Sequence, residues 1–108
     1  MNLPTEIFGN VVVIHSPEEL GSDQTDAFRT FLTRQERSNV VLDIDNSESI
    51  SSDGLTALLD AQDQLRQQSG DLKIATANSV NRKILEITRL DQCLEVFDSV
   101  IDAVKSFS

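Results

Sequence analysis

Three short apolar runs restrict this chain more than any other feature: Val11-Val12-Val13-Ile14, Val40-Val41-Leu42-Asp43-Ile44 and Leu72-Lys73-Ile74-Ala75. Each has the length of a strand and lacks the apolar–polar alternation of a half-exposed one, so each reads as a strand covered on both faces. The stretches between them are too long for hairpins and carry helical spacing. They therefore read as crossovers that join parallel strands and lay helices on the sheet.

Ser22 is placed to cap a helix reaching about Glu36, with Phe28, Phe31, Leu32 and Gln35 along one face. A second helix begins near Ser52-Asp53, turns Leu55, Leu58, Leu59, Gln62 and Leu65 inward, and stops at Gly70. Ser79 caps a third, with Val80, Ile84 and Ile87 inward and an end near Arg89. Asp98 caps a fourth, in which Ile101, Val104 and Lys105 follow the helical period and Phe107 closes the end. Thr5-Glu6-Ile7-Phe8 forms an edge strand, turned back through Gly9-Asn10, and Leu94-Glu95-Val96-Phe97 forms a last short strand. The expected order is ββαβαβαβα: an α/β domain spanning residues 1–108, with a mixed, mostly parallel sheet of four or five strands and four helices.

At 108 residues, 39% hydrophobic and 25% charged, the chain has the balance of one soluble domain able to bury a core. No apolar run approaches the roughly 20 residues that span a bilayer. The uncharged start, Met1-Asn2-Leu3-Pro4-Thr5, does not read as a secretory leader. A lone cysteine, Cys93, excludes an internal disulfide and fits a reducing compartment, so a cytoplasmic location is expected. A formal net charge of −9 excludes nucleic acid and anionic membranes as natural partners and favours a basic protein surface.

Catalytic chemistry finds little to work with. His15 is the one histidine and stands at a strand end, where a surface residue is the default. Cys93 lies between two apolar segments and reads as a buried or half-buried structural thiol. One His and one Cys make no zinc site, and Gly9, Gly21, Gly54 and Gly70 are scattered, with no phosphate loop among them. Glu18-Glu19 reads as a solvated turn. Asp43 and Asp45 leave a strand on the same face, where a cation site is the minority reading. The expectation is a chain with no enzymatic activity, no cofactor and no metal.

One segment concentrates functional chemistry: Asp43 through Leu55, which leaves a strand, crosses a polar loop and enters a helix. In open α/β sheets function gathers at such corners, and the helix start offers free N–H groups and a positive dipole end. A phosphate added there would change charge and hydrogen bonding at an exposed point. A plainer account serves the same letters: Ser52 an N-cap, Asp53 a first-turn acid, Gly54-Leu55 the start of a packed helix.

The passage Val40-Val41-Leu42-Asp43 … Ile50-Ser51-Ser52-Asp53-Gly54-Leu55 … Leu58-Leu59 resembles the STAS family of bacterial anti-anti-sigma factors (anti-sigma factor antagonists). So do Gly70-Asp71-Leu72-Lys73-Ile74, Val80 … Ile84-Leu85 and Leu90 … Leu94-Glu95-Val96-Phe97, and the likeness covers nearly the whole chain. In that family the corner usually reads Asp-Ser-Ser-Gly-Leu or Asp-Ser-Thr-Gly-Leu. The hydroxyl residue before the glycine is phosphorylated by a serine kinase that is also the anti-sigma factor, and phosphorylation breaks the complex between them. The resemblance implies a regulatory domain that binds such a kinase through Ser51, Ser52, Asp53, Gly54 and Leu55.

The chain departs from that pattern at the decisive letter. Ser51 stands where the family has aspartate, Ser52 matches the first hydroxyl residue, and Asp53 occupies the phosphoacceptor position. A carboxylate takes no phosphate from a serine kinase, and it carries about one negative charge against roughly −1.5 to −2 for phosphoserine. Three readings follow: loss of the standard switch, which we favour; Asp53 holding a phosphorylated-like state; or acceptance moved to Ser52. Three roles stand beside them. An antagonist-type binding module leads, and an assembly component without a phosphorylation cycle comes second. A receiver domain phosphorylated on aspartate is third, and the Ile14-His15-Ser16 strand end, which lacks an acidic cluster, argues against it. The close of the chain soon after its last helix suggests a stand-alone domain rather than the tail of a transporter. The sequence leaves the partner and the oligomeric state open.

Overall fold

The computed structural model describes residues 1–21 and 23–108. β1 (Thr5–Phe8) turns through Gly9-Asn10 into β2 (Val11–His15), antiparallel, with Phe8 opposite Val11. There follow β3 (Glu19–Leu20), α1 (Thr25–Thr33), β4 (Asn39–Asp43), β5 (Ser49–Ile50) and α2 (Ser52–Gln67). β6 (Asp71–Ala75), α3 (Ser79–Ile87), a 3-10 turn at Leu90–Gln92, β7 (Val96–Phe97) and α4 (Val100–Lys105) complete the chain. The main sheet has the order β1-β2-β4-β6-β7, and every pairing except β1–β2 is parallel. This is the five-stranded, mostly parallel sheet with four helices that the apolar runs require.

The register explains why those runs do not alternate. Val12, Ile14, Val40, Leu42, Leu72 and Ile74 face α1, α2 and α3, where Phe28, Leu32, Leu58, Leu65 and Leu85 close the larger core. Val11, Val13, Val41 and Ala75 face the other way, against Ala103 and the half-buried Val100, Val104 and Phe107 of α4 and its end. Both faces are covered, so both sets of side chains are apolar. Lys73 points into the α4 face with only 7% of its surface exposed. Its ammonium donates to the Ser106 hydroxyl (2.8 Å) and carbonyl (3.3 Å) and lies 4.2 Å from the Phe107 ring centre, which offsets its burial.

Several expectations are corrected. α1 spans Thr25–Thr33 and stops short of Glu36, because Arg34-Gln35-Glu36-Arg37 offers no apolar stripe to hold a further turn. Ser22, expected as its cap, lies outside the described residues. A second, two-stranded parallel sheet pairs β3 with β5, which two-residue strands do not announce in sequence. Caps fall one residue early or late: Ser51 in place of Ser52, Asn78 in place of Ser79, Ser99 in place of Asp98. Leu94 and Glu95 precede β7, and the Leu94 N–H closes the preceding turn on the Leu90 carbonyl at 2.8 Å.

The phase of α3 is also different. Asn81 and Leu85 face the core, while Val80 and Ile87 are 66% and 70% exposed and Ile84 is half-buried. The Asn81 amide donates to the Ile44 carbonyl (2.8 Å) and the Ser47 carbonyl (2.9 Å). This buried polar anchor fixes the helix rotation against its apolar period. Ile101 is 65% exposed, Cys93 is exposed, and Val41 packs on the α4 face, away from Leu58.

Candidate functional site

The loop that follows β4 is tied down by backbone groups before it reaches α2. The Ile44 N–H donates to the Ala75 carbonyl (3.1 Å) and the Ser47 N–H closes on the Ile44 carbonyl (3.1 Å). The buried Ser47 hydroxyl bonds the Pro17 carbonyl (2.8 Å) and the Ser16 hydroxyl (2.7 Å). β5 then pairs with β3, and the Ser51 N–H donates to the Leu20 carbonyl at 2.9 Å. Ser51 itself has extended backbone, and its hydroxyl accepts from the Gly54 N–H at 3.3 Å, the geometry of an N-cap. Ser52 and Asp53 are thereby left exposed in the first turn of α2, Gly54 is buried, and Leu55 is half-buried.

Gly54 is buried because the connection from β3 crosses directly over it. A methyl carbon built there would fall on the Leu20 carbonyl, 2.6 Å from its carbon and 2.9 Å from the Gly21 nitrogen. Gly21 reciprocates from the other side: its φ of 115° suits glycine, and a side chain there would run into Ser51. The two glycines let one backbone lie against another. The corner is thus rigid underneath and open on top.

Asp53 forms no side-chain ion pair among the described residues, and it sits where the positive end of the helix dipole favours negative charge. Beside it, the starts of α1 and α2 enclose a groove of about 290 Å³ lined by Asp23, Asp26, Asp53, Thr56 and Asp60. Arg29 crosses the groove, 3.3 Å from Asp26 and 3.7 Å from Asp60, and neutralises part of that charge. The surface around Asp53 remains acidic. Asp53 and Ser52 therefore stand where the corner reading put them; the cap belongs to Ser51.

The other candidates have structural partners. His15 is half-buried, not a free surface residue: Nδ1 lies 2.9 Å from an Asp43 carboxylate oxygen and Nε2 2.7 Å from Glu6. The Glu6 bond, and behind it Asp43, hold its imidazole above the ordinary value of 6.5 against the opposing effect of burial. Period-two counting along the hairpin could have brought Glu6 to the face of His15, but Asp43 is 28 residues away and needed the sheet order. Asp45 accepts from the Thr76 hydroxyl and the Ala77 N–H, both at 2.7 Å, while the Asp43 carboxylate takes His15 and the Asp45 N–H (2.9 Å), so the two side chains have different partners joined through the Asp45 main chain. Glu18 and Glu48 are exposed on the rim of a cavity of about 710 Å³ beyond the ends of β2 and β4. Within it, Asn81 and Ser47 are bonded into the fold itself.

The fold and the corner together define a mixed α/β domain in which the turn from β5 into α2 lies open above a glycine crossing. The STAS domain model matches residues 2–103, and the chain belongs to the STAS-domain family. No curated protein matches it in sequence. Among solved structures, it is similar to a protein of Thermotoga maritima described as an anti-sigma factor antagonist, at 20% identity and a TM-score of 0.83, covering 96% of this chain and 92% of that one. An anti-sigma factor antagonist from Mycobacterium paratuberculosis gives 18% identity and a TM-score of 0.82, over 97% and 92% of the two chains. A sulfate transporter family protein from Wolinella succinogenes gives 16% and 0.79, over 94% and 87%. At these identities the likeness establishes the fold. No helix among the described residues is long and apolar enough to cross a membrane.

Proposed function

We propose that this chain is a regulatory protein-binding module of the anti-sigma factor antagonist type that catalyses no reaction. It docks a partner through Ser51, Ser52, Asp53, Gly54, Leu55 and the exposed face of α2. The partner is a serine-kinase anti-sigma factor or a relative of one, and the phosphoacceptor position is held by Asp53. The observation that carries this reading is the exposure of Ser52 and Asp53 on a corner fixed by Ser51 and the Gly21–Gly54 crossing. The acidic groove beside it suits a basic partner surface. A cytoplasmic location belongs to the same reading, and the exposed free thiol of Cys93 supports it.

Asp53→Ser tests the switch. Incubated with the cognate kinase and ATP, the unmodified chain should take no phosphate at Ser52, and the variant should take it at position 53 and bind the kinase more tightly. Phosphate on Ser52 of the unmodified chain would show that acceptance has moved by one residue. If both proteins stay unmodified and bind equally, the corner is a helix cap and the antagonist reading fails. A second reading, an assembly component with no phosphorylation cycle, is favoured by Asp53 itself, because a carboxylate there ends the cycle. It would take the lead in that case.

A further inference from the structure

The rotation of α3 leaves the helix with two apolar sides. Leu85 faces the core, while Val80, Ile84 and Ile87 recur at the spacing i, i+4, i+7 on another side, where Val80 and Ile87 are exposed and Ile84 between them is half-buried. Val80 and Ile87, at 66% and 70% exposed, are among the most exposed large apolar side chains of the described residues. Two exposed β-branched residues joined by a half-buried third along one side of a helix make a continuous apolar patch, unlike isolated apolar residues scattered over a surface. With a rise of about 1.5 Å per residue, the stripe runs for about 10 Å, two turns, which matches the ridge of another helix.

The charge around the stripe selects what can lie there. Residues 79–89 hold three of the nine basic residues of the chain, Arg82, Lys83 and Arg89, but one of its eighteen acidic residues, Glu86. That is a net of +2 in a chain of net −9. Arg82 is engaged by Asp98 at 2.6 Å, whereas Lys83, inside the stripe, and Arg89, at its end, make no ion pair among the described residues. We infer that the Val80–Ile84–Ile87 stripe of α3, exposed at Val80 and Ile87, is with Lys83 and Arg89 a second docking surface for an acidic amphipathic helix of a partner protein. It stands apart from the Ser51–Leu55 corner and does not depend on that corner's role. A second copy of this chain is the poorer occupant, because stripe against stripe would set Lys83 and Arg89 of one copy beside the same cations of the other.

The probe is a pair of synthetic amphipathic helical peptides of about 16 residues, with leucine on one stripe and either glutamate or lysine flanking it. Each is titrated into the full, isotope-labelled chain and followed by amide chemical shifts. The glutamate peptide should shift the amides of α3, and its affinity should fall as salt is raised to about 0.5 M. The lysine peptide should bind about ten-fold or more weakly. Val80→Ser with Ile87→Ser, both at exposed positions, should abolish the shifts and leave the rest of the spectrum unchanged. Asp53→Ser should leave the titration unaltered, so failure here is distinguishable from failure of the corner. Equal binding of the two peptides, shifts mapping away from α3, or no shifts at millimolar peptide would overturn the inference. So would sedimentation showing self-association that the double variant abolishes.

Discussion

Replacing Gly54 by alanine puts the crossing under the corner to the test. In an open helix this change stabilises by about 1 kcal/mol, because glycine is the poorer helix former. Here the added methyl meets backbone: 2.6 Å to the Leu20 carbonyl carbon and 2.9 Å to the Gly21 nitrogen. No flexible side chain can swing aside, so either α2 or the β3 connection must retreat by several tenths of an ångström. Overpacking of this kind costs about 1–3 kcal/mol and sometimes more. The retreat also stretches the 2.9 Å bond from the Ser51 N–H to the Leu20 carbonyl, and a lost hydrogen bond costs about 0.5–1.5 kcal/mol. Set against the propensity gain, the net is a destabilisation of about 0.5–3.5 kcal/mol, a sizeable part of the 5–15 kcal/mol typical of a domain. Urea denaturation of Gly54→Ala beside Ser52→Ala, whose side chain is exposed, measures it; the control should stay within about 0.5 kcal/mol. A midpoint for Gly54→Ala equal to or above that of the parent would refute the reasoning, because it would mean the helix propensity gain goes unopposed.

Leu58→Ala should cost about 2–5 kcal/mol by denaturation, since Leu58 is fully buried in the larger core; an unchanged midpoint would mean that α2 is rotated. For His15 the folded imidazole titrates above 6.5, so its contribution is fully present below that value. It should fade as pH rises through the raised folded value. Denaturation midpoints across that range should decline in the parent and flatten in Glu6→Gln, and an NMR titration midpoint at or below 6.5 would contradict the pairing. With net −9, the chain should give no salt-sensitive gel shift with DNA or RNA at micromolar concentration, and such a shift would overturn the assignment to a protein partner.

What could be read from the letters divides along the difference between side-chain patterns and backbone contacts. The three apolar runs announce buried parallel strands because both of their faces are covered, and the stripe of Leu58, Gln62 and Leu65 correctly phases α2. Ser52 and Asp53 could be placed at an exposed corner because the strand-to-helix change is visible in sequence. β3 and β5 could not be found: two residues each show no period, and their pairing rests on main-chain bonds. The phase of α3 departs from its apolar period because the stronger apolar stripe is the outward one, while a buried amide, Asn81, sets the rotation. The apolar neighbours of Cys93 predict a buried or half-buried thiol, but the 3-10 turn at Leu90–Gln92 carries Leu94 in and leaves Cys93 out.

The β3–β5 ladder has a consequence for how such a domain can diverge. The bonds that the Glu48, Ser49 and Ser51 N–H groups donate to the Glu18 and Leu20 carbonyls run between main-chain atoms and are indifferent to which side chains those residues carry. Letters on the open side of the corner, Ser52 and Asp53 among them, can therefore be exchanged without moving the scaffold that presents them. Gly21 and Gly54 have no such freedom, since any side chain at either would collide with the strand or turn that faces it. A lineage can thus lose, move or rewrite a charge at this turn in one substitution, while the frame that displays it stays the same.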